Sequence, residues 1–483
     1  MSQYTLDAVG KQLYVGGRWR AASDGRTLDV LDPATEEKIA TVAEASVEDA
    51  LAAVEAAYEA GPAWSRSAPR ERGELLRRSF ELMVKHKEDL ARLITLENGK
   101  TLAEARAEVA YAAEFLRWFS EEAVRILGEV SMAPSGANRI LVLRQPIGVS
   151  LFVTPWNFPA AMATRKIGPA LAAGCTLILK PAKETPLTAL AMAAIFAEAG
   201  VPAGVVNVLP SRRSSQIVGT LLKDPRVRKL SFTGSTQTGR VLLAQAAENV
   251  VKCSMELGGN APFIVFADAD LELTISNAMV AKMRNGGQSC VAANRFYVER
   301  PVAEAFAKRF GEAMAQMKLG HGLDEGVQVG PLIDGPTRAK VTALVEEALD
   351  RGARAVVGAK APKRRGFFYE PTVLSGVQDD FAVMRQEIFG PVAPIVVFDT
   401  EDEAVAMANG TEFGLVSYVH TRDIGKGLRV SERIEAGMVG LNRGLISDPA
   451  APFGGWKQSG VGREGAHDGL LEFLETKYIA ANW

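Results

Sequence analysis

The sequence predicts an α/β protein of two parallel-sheet domains with a small β extension, and three observations carry that reading. Short apolar runs alternate with helix-length stretches from residue 138 onward. The alternation restarts after Glu256. The tail Leu470–Trp483 contains Lys-Tyr-Ile-Ala, which suits an edge strand that pairs with another chain.

Taken in order, the first ~130 residues read as mostly helical. Ser46-Val-Glu-Asp49 resembles a capping box opening the alanine-rich stretch to Ala60, and amphipathic stretches follow near 68–97 and 101–127. Strands are expected at Ile140–Leu143, Val149–Val153, Thr176–Leu179, Val205–Leu209 and Lys229–Phe232, with helices over 160–173, 186–199 and 236–248. Beyond Glu256 the expected units are a strand at Pro262–Phe266, a helix near 270–283, a strand near 295–299 and a helix to about 317. Residues 318–380, rich in Gly, Pro and charge, should hold loops around one or two more units. The pattern resumes at Pro394–Phe398 and runs to about 441.

Composition narrows the function classes. An apolar content of 47% supplies several cores, and a net charge of −2 without a basic block argues against a nucleic-acid surface. Met1–Arg20 shows no secretory pattern, and Ala189–Ala197, the most apolar stretch, is too short to span a bilayer. Three cysteines cannot form a disulfide framework in so long a chain. Four scattered histidines, with no Cys-x-x-Cys or His-x-x-x-His pair, give no expectation of a metal site. These features suggest a soluble, cytoplasmic protein without membrane partners.

Two glycine motifs need context. Gly460-Val-Gly-Arg-Glu-Gly465 spells G-x-G-x-x-G, but no apolar strand precedes it and 18 residues follow it, too few for a dinucleotide-binding unit. Gly234-Ser-Thr-Gln-Thr-Gly239 has P-loop spacing, yet Arg240-Val241 replaces the required Lys-Ser/Thr. Its place between a strand and a helix suits either a pyrophosphate at a helix N-terminus or an ordinary βα turn.

The strongest chemical signal is Met-Glu-Leu-Gly-Gly at 255–259, with Gly-Gln-Ser-Cys ending at Cys290, 34 positions after Glu256. A thiol can attack a carbonyl carbon, and a carboxylate can deprotonate the water that releases the acyl group. Gly258, Gly259, Gly286 and Gly287 are expected to let backbone approach a ligand.

Seven segments resemble signatures of the aldehyde dehydrogenase superfamily in their usual order. They are Thr154-Pro-Trp-Asn-Phe-Pro159, Leu179-Lys-Pro181, Phe232-Thr-Gly-Ser235, Glu256-Leu-Gly-Gly259, Gly287-Gln-Ser-Cys290, Glu387-Ile-Phe-Gly-Pro391 and Pro452-Phe-Gly-Gly455. Within the superfamily, Ala163-Thr-Arg-Lys166, Lys282-Met-Arg-Asn285 and Gly444-Leu-Ile-Ser447 are most similar to succinate-semialdehyde dehydrogenases. The resemblance implies a Rossmann-like dinucleotide-binding domain (1–125 and 147–255), a catalytic domain (256–440) and oligomerisation strands (126–146 and 468–483), with 441–467 returning to the cofactor side. It implies a homotetramer or homodimer.

It also implies roles. Cys290 is the nucleophile, Glu256 the base and Asn157 an oxyanion donor with the Cys290 N–H. Thr154, Pro155, Trp156, Lys180, Gly234, Ser235, Glu387 and Phe389 hold an NAD+ or NADP+ cofactor, while Arg165, Arg284 and Ser447 grip the remote carboxylate of a small acidic aldehyde. Two departures are informative. Lys183 stands where many NAD-preferring relatives carry glutamate, and with Arg212 and Arg213 it leans the expectation toward NADP+, because a cation tolerates a 2′-phosphate. Ala292 stands where some relatives carry a second cysteine, so no local disulfide switch is expected. The competing readings are a glutarate-semialdehyde or broader aldehyde dehydrogenase and, in a different class, a non-catalytic binding protein on the same scaffold.

Overall fold

A computed structural model describes residues 3–483. The expected strand–helix alternation forms two large sheets. In the first, Val206–Val208, Leu177–Lys180, Val149–Val153, Val227–Thr233 and Lys252–Glu256 lie side by side in parallel, in that order. Antiparallel strands flank them: Leu13–Val15 and Arg18–Arg20 at one edge, Gly460–Val461 at the other.

Period-two patterning explains why this sheet is covered on both faces. Leu151, Val153, Ile178, Leu230 and Phe232 belong to one core, whereas Phe152, Leu177 and Leu179 belong to another. Helices Ala161–Ala173 and Pro186–Glu198 supply the second core, and Val47–Arg66 and Ser214–Lys223 the first. Helix Val47–Arg66 opens as its sequence predicts: Ser46 Oγ accepts from Asp49 N at 3.1 Å, and the Asp49 carboxylate accepts from Ser46 N at 2.9 Å.

The second sheet orders Arg354–Val357, Thr372–Ser375, Val392–Phe398, Ala293–Glu299, Ala261–Val265, Val416–His420 and Met438–Leu441, all parallel except the first. A third sheet is antiparallel. Leu474–Ala481 pairs along Arg139–Pro146, which also pairs with Glu129–Met132. Leu474–Ala481 is an edge strand, largely exposed.

One expectation needs correction. Residues 3–43 are not helical but form hairpins, Leu13–Val15 with Arg18–Arg20 and Thr27–Asp32 with Glu37–Ala43. Alternate residues of Thr27–Asp32 are exposed and buried, the period of a half-buried strand. The reading of residues 1 and 2 lies outside the described residues. Helices do dominate from Val47 to Glu122, broken at Ser67, His86 and Gly99.

Topology fixes where a ligand can enter. In the first sheet, successive connections run outward in opposite directions from Val149–Val153 and Val227–Thr233, so the loops leaving these strands diverge at a switch point. Those loops are Thr154–Asn157 and Gly234–Ser235. Glu256 ends the neighbouring strand, and residues 257–260 lead directly to the start of Ala261–Val265. The C-terminal edge of the first sheet therefore meets the N-terminal edge of the second.

Candidate active site

A cavity of about 240 Å³ lies at this junction. Pro155, Trp156 and Asn157 line it from one switch-point loop, Gly234 and Ser235 from the other. The second sheet contributes Cys290, which precedes strand Ala293–Glu299, and Glu387 and Phe389, which precede Val392–Phe398. Eight predicted site residues thus share one wall. Thr337 and Lys340, near the start of helix Gly335–Asp350, also line it and were not anticipated. Nothing in their local pattern distinguishes them from an ordinary exposed helix face.

The nucleophile loop is held in an unusual shape. Asn285, Gly286 and Gly287 have φ of 54°, 60° and 78°. A Cβ on Gly287 would sit 2.1 Å from the Gly390 carbonyl, and one on Gly259 2.7 Å from the Cys290 carbonyl. Glycine at 287 and 259 lets three protein loops pack together, while Gly258 lines the cavity itself.

Burial pushes the Cys290 thiol up to about 12, with Arg165 pulling the other way. Glu256 is buried, and burial together with the nearby negative charge of Glu464 holds its carboxyl well above 4.5. Glu464 goes in the opposite direction. Burial raises its pKa, but Lys166 and Arg165 outweigh burial and leave it below the usual carboxylate value. Lys166 Nζ contacts Glu464 Oε1 and donates to Ser231 Oγ at 3.0 Å. Glu464 had escaped sequence reasoning because it lies inside the rejected Gly460–Gly465 motif. That segment joins the site through the antiparallel strand Gly460–Val461.

Groups expected to hold a dinucleotide are suited to it. Ser235 caps helix Thr236–Ala246, its hydroxyl accepting from Thr238 N at 3.3 Å, so a helix N-terminus faces the cavity. Lys180, at the end of its strand, is buried, forms no salt bridge among the described residues, and is pushed down to about 8 by burial. A buried ammonium without a paired anion suits hydroxyl or phosphate oxygens. Glu387 Oε1 accepts from Gly259 N at 3.0 Å, and burial raises its pKa. Thr154 lies just outside the cavity lining, its N–H donating to the Lys180 carbonyl at 3.2 Å. The Lys183 side chain is 55% exposed, 3.6 Å from Glu184, at a separate hollow shared with Arg212. The two arginines are already engaged: Arg212 with Glu44 at 3.3 Å, Arg213 with Asp24 at 2.7 Å.

A second cavity, of about 600 Å³, contains Arg284, Ser447, Tyr111 and Phe158. The Arg284 guanidinium stands 4.8 Å from the Phe158 ring centroid and 5.7 Å from that of Tyr111. Arg165 is not on this wall. Its Nε lies 2.9 Å from Glu464 Oε2, its guanidinium faces Phe453 at 3.8 Å, and its buried Nη2 has no hydrogen-bond partner. Tyr111 was not foreseen, since in sequence it is one more apolar position of helix Leu102–Glu122. A larger groove of about 700 Å³ along helix Arg300–Ala315 carries none of the candidate residues.

All three cysteines are free, and no cluster of metal-ligating side chains occurs among the described residues. Nor is any described helix long and apolar enough to cross a membrane. The arrangement offers a covalent thiol, a nearby amide donor, a buried carboxyl and an anion-accepting helix end.

Comparison with known proteins agrees with this chemistry. The sequence model of the Aldehyde dehydrogenase family matches residues 19–479. A succinate-semialdehyde dehydrogenase of Paenarthrobacter nicotinovorans is 55% identical, over 91% of this chain and 98% of that one. A glutarate-semialdehyde dehydrogenase of Pseudomonas putida is 50% identical, over 97% of each. The crystal structure of succinate-semialdehyde dehydrogenase from Burkholderia pseudomallei superposes with a TM-score of 0.97 at 48% identity, covering 98% of both chains.

Proposed function

The chain belongs to the aldehyde dehydrogenase family, whose members oxidise aldehydes with NAD(P)+, and we propose that its substrate is a short ω-carboxy aldehyde, succinate semialdehyde above all. The observation that carries this reading is the meeting of Arg284 and Ser447 on one cavity wall. A guanidinium and a hydroxyl there hold the remote carboxylate by charge-assisted hydrogen bonds. With both substrate ends bound, the aldehyde carbon is presented to Cys290.

In the reaction, Cys290 Sγ adds to the carbonyl carbon and its proton leaves the site. Asn157 Nδ2 and the Cys290 N–H donate to the resulting oxyanion. Lys180, Ser235, Thr154, Pro155, Trp156 and Gly234 of the 1–125 and 147–255 unit, with Glu387 and Phe389 of the 256–440 unit, would hold the dinucleotide. When bound, the nicotinamide supplies the acceptor for the hydride that leaves the carbon. Glu256 then takes a proton from water. The water oxygen attacks the thioester carbon, the acid departs, and the Cys290 thiolate is restored. Glu464, kept anionic by Lys166 and Arg165, favours a protonated Glu256 and so helps it accept that proton.

NADP+ is the preferred cofactor in this reading, because the Lys183 ammonium is half exposed and its pairing with Glu184 is loose, at 3.6 Å. The protein is a cytoplasmic homo-oligomer, a fit supported by its unpaired thiols and exposed edge strand.

The test is a panel of C2 to C8 aldehydes, with and without an ω-carboxylate, assayed with both cofactors (chain lengths chosen because each methylene is worth about 1–3 kcal/mol). Succinate semialdehyde should give the highest kcat/KM, and Arg284→Ala should raise its KM far more than that of propanal. Equal effects on both would remove the carboxylate anchor. Preference for the longer glutarate semialdehyde is the second reading, favoured by the similarity to the Pseudomonas putida enzyme.

A further inference from the structure

Behind the cavity wall, the loop after helix Lys87–Asn98 runs along the backbone of Trp156 and Asn157. Asn98 Nδ2 donates to the Trp156 carbonyl at 2.9 Å, and Lys100 Nζ donates to the Asn157 carbonyl at 2.7 Å. Lys100 is ion-paired with Glu108 at 2.5 Å, and both side chains are wholly inaccessible. The other Glu108 oxygen accepts from Ala160 N at 2.9 Å and Ala161 N at 3.3 Å, at the start of helix Ala161–Ala173. The Lys100 ammonium also lies 4.0 Å from the Phe158 ring centroid. Asn285 Nδ2 provides a second donor to the Asn157 carbonyl, at 2.9 Å, and reaches Gln288 O at 3.3 Å, two residues before Cys290.

A buried ion pair is a poor device for stability alone, since desolvation offsets most of its attraction. What this pair does is immobilise one peptide. Asn157 Nδ2 gives one hydrogen to Gln288 O at 3.2 Å, which leaves its second for the site. We propose that Lys100, held by Glu108, is a positioning residue that fixes the Asn157 main chain so that its side-chain amide is already aimed at the oxyanion beside Cys290. The inference rests on the oxyanion role proposed above for Asn157. Its physical content is preorganisation: a donor stabilises developing charge most when nothing has to reorient during the reaction. Lys100 lines neither site cavity, and Glu108 borders the one holding Arg284 and Ser447 with its side chain wholly inaccessible, so the pair acts through the Asn157 main chain.

A double-mutant cycle tests it. Lys100→Met with Glu108→Gln removes both charges together, so no lone buried ion confuses the result. This variant, Asn157→Ala and the combination of all three are compared by the single-turnover rate of NAD(P)H formation, by KM and by thermal midpoint. The paired substitution should slow hydride formation about tenfold or more, change KM by less than about twofold, and slow the Asn157→Ala enzyme by less than about twofold further. A purely structural role would lower the thermal midpoint and slow both backgrounds alike, which would overturn the positioning role and leave that of Asn157 intact. An unchanged rate in the paired variant would overturn it too. An undiminished rate in Asn157→Ala would instead remove the oxyanion reading itself. If the paired variant does not fold, Glu108→Gln alone enters the same cycle, with a smaller but still non-additive slowing expected, and additive slowing decides against the proposal.

Discussion

Burial penalises the charged forms of both Glu256 and Cys290 and shifts each toward its protonated form. A carboxyl with a raised pKa becomes a base only as pH climbs through that value. Hydrolysis of the thioester should therefore accelerate as pH rises over a range well above the ordinary carboxylate value of 4.5, which a pH series of acid release from the acyl-enzyme measures. The thiol gives a companion expectation. With its pKa pushed up to about 12, alkylation of the cofactor-free protein by iodoacetamide should still be rising at pH 9.0, the ordinary thiol value. A plateau near neutrality would show that another group stabilises the thiolate. At Lys183 the expectation concerns charge. Lys183→Glu should shift the kcat/KM ratio by about tenfold or more toward NAD+, since a carboxylate repels a 2′-phosphate. An unaltered enzyme with a tenfold preference for NAD+ would refute the assignment.

At the scale of elements, the site depends on loops that cross between sheet edges. Gly287 is the most exposed to test, since its φ is 78° and a Cβ would meet the Gly390 carbonyl at 2.1 Å. Gly287→Ala should cost about 2–4 kcal/mol in strain and overlap and displace Cys290, lowering kcat by more than about tenfold. Full activity with an unchanged thermal midpoint would mean that the loop yields without cost. The central strands and helices were legible from residue 138 because period-two and helical runs are local properties. The early hairpins were not, because short strands such as Arg18–Arg20 take their identity from the neighbour they pair with. Glu464 was missed for the same reason, its segment being placed by pairing with Met255 and Glu256.

At the scale of the whole molecule, strand Leu474–Ala481 presents an unpaired edge with Tyr478 and Ile479 exposed on it. Such an edge is an open template for another strand, and burying it in an assembly removes that liability. The protein should elute as a tetramer or dimer, and Ile479→Lys with Tyr478→Asp should shift it to smaller species in light scattering. A monomeric unaltered protein would contradict this.

Contiguous residues carried the strands and helices beyond residue 138, the thiol, the carboxylate and the family signatures, because each of these is a local pattern. Folding alone brought Glu464 and Lys166 near Glu256, Lys340 to the Cys290 cavity, Tyr111 to the cavity of Arg284 and Lys100 to the Asn157 carbonyl, and turned Arg165 toward Glu464. Proximity across two sheets and a strand from the far end of the chain leaves no local pattern. It arises when separate apolar faces are buried against one another and carry their polar neighbours along.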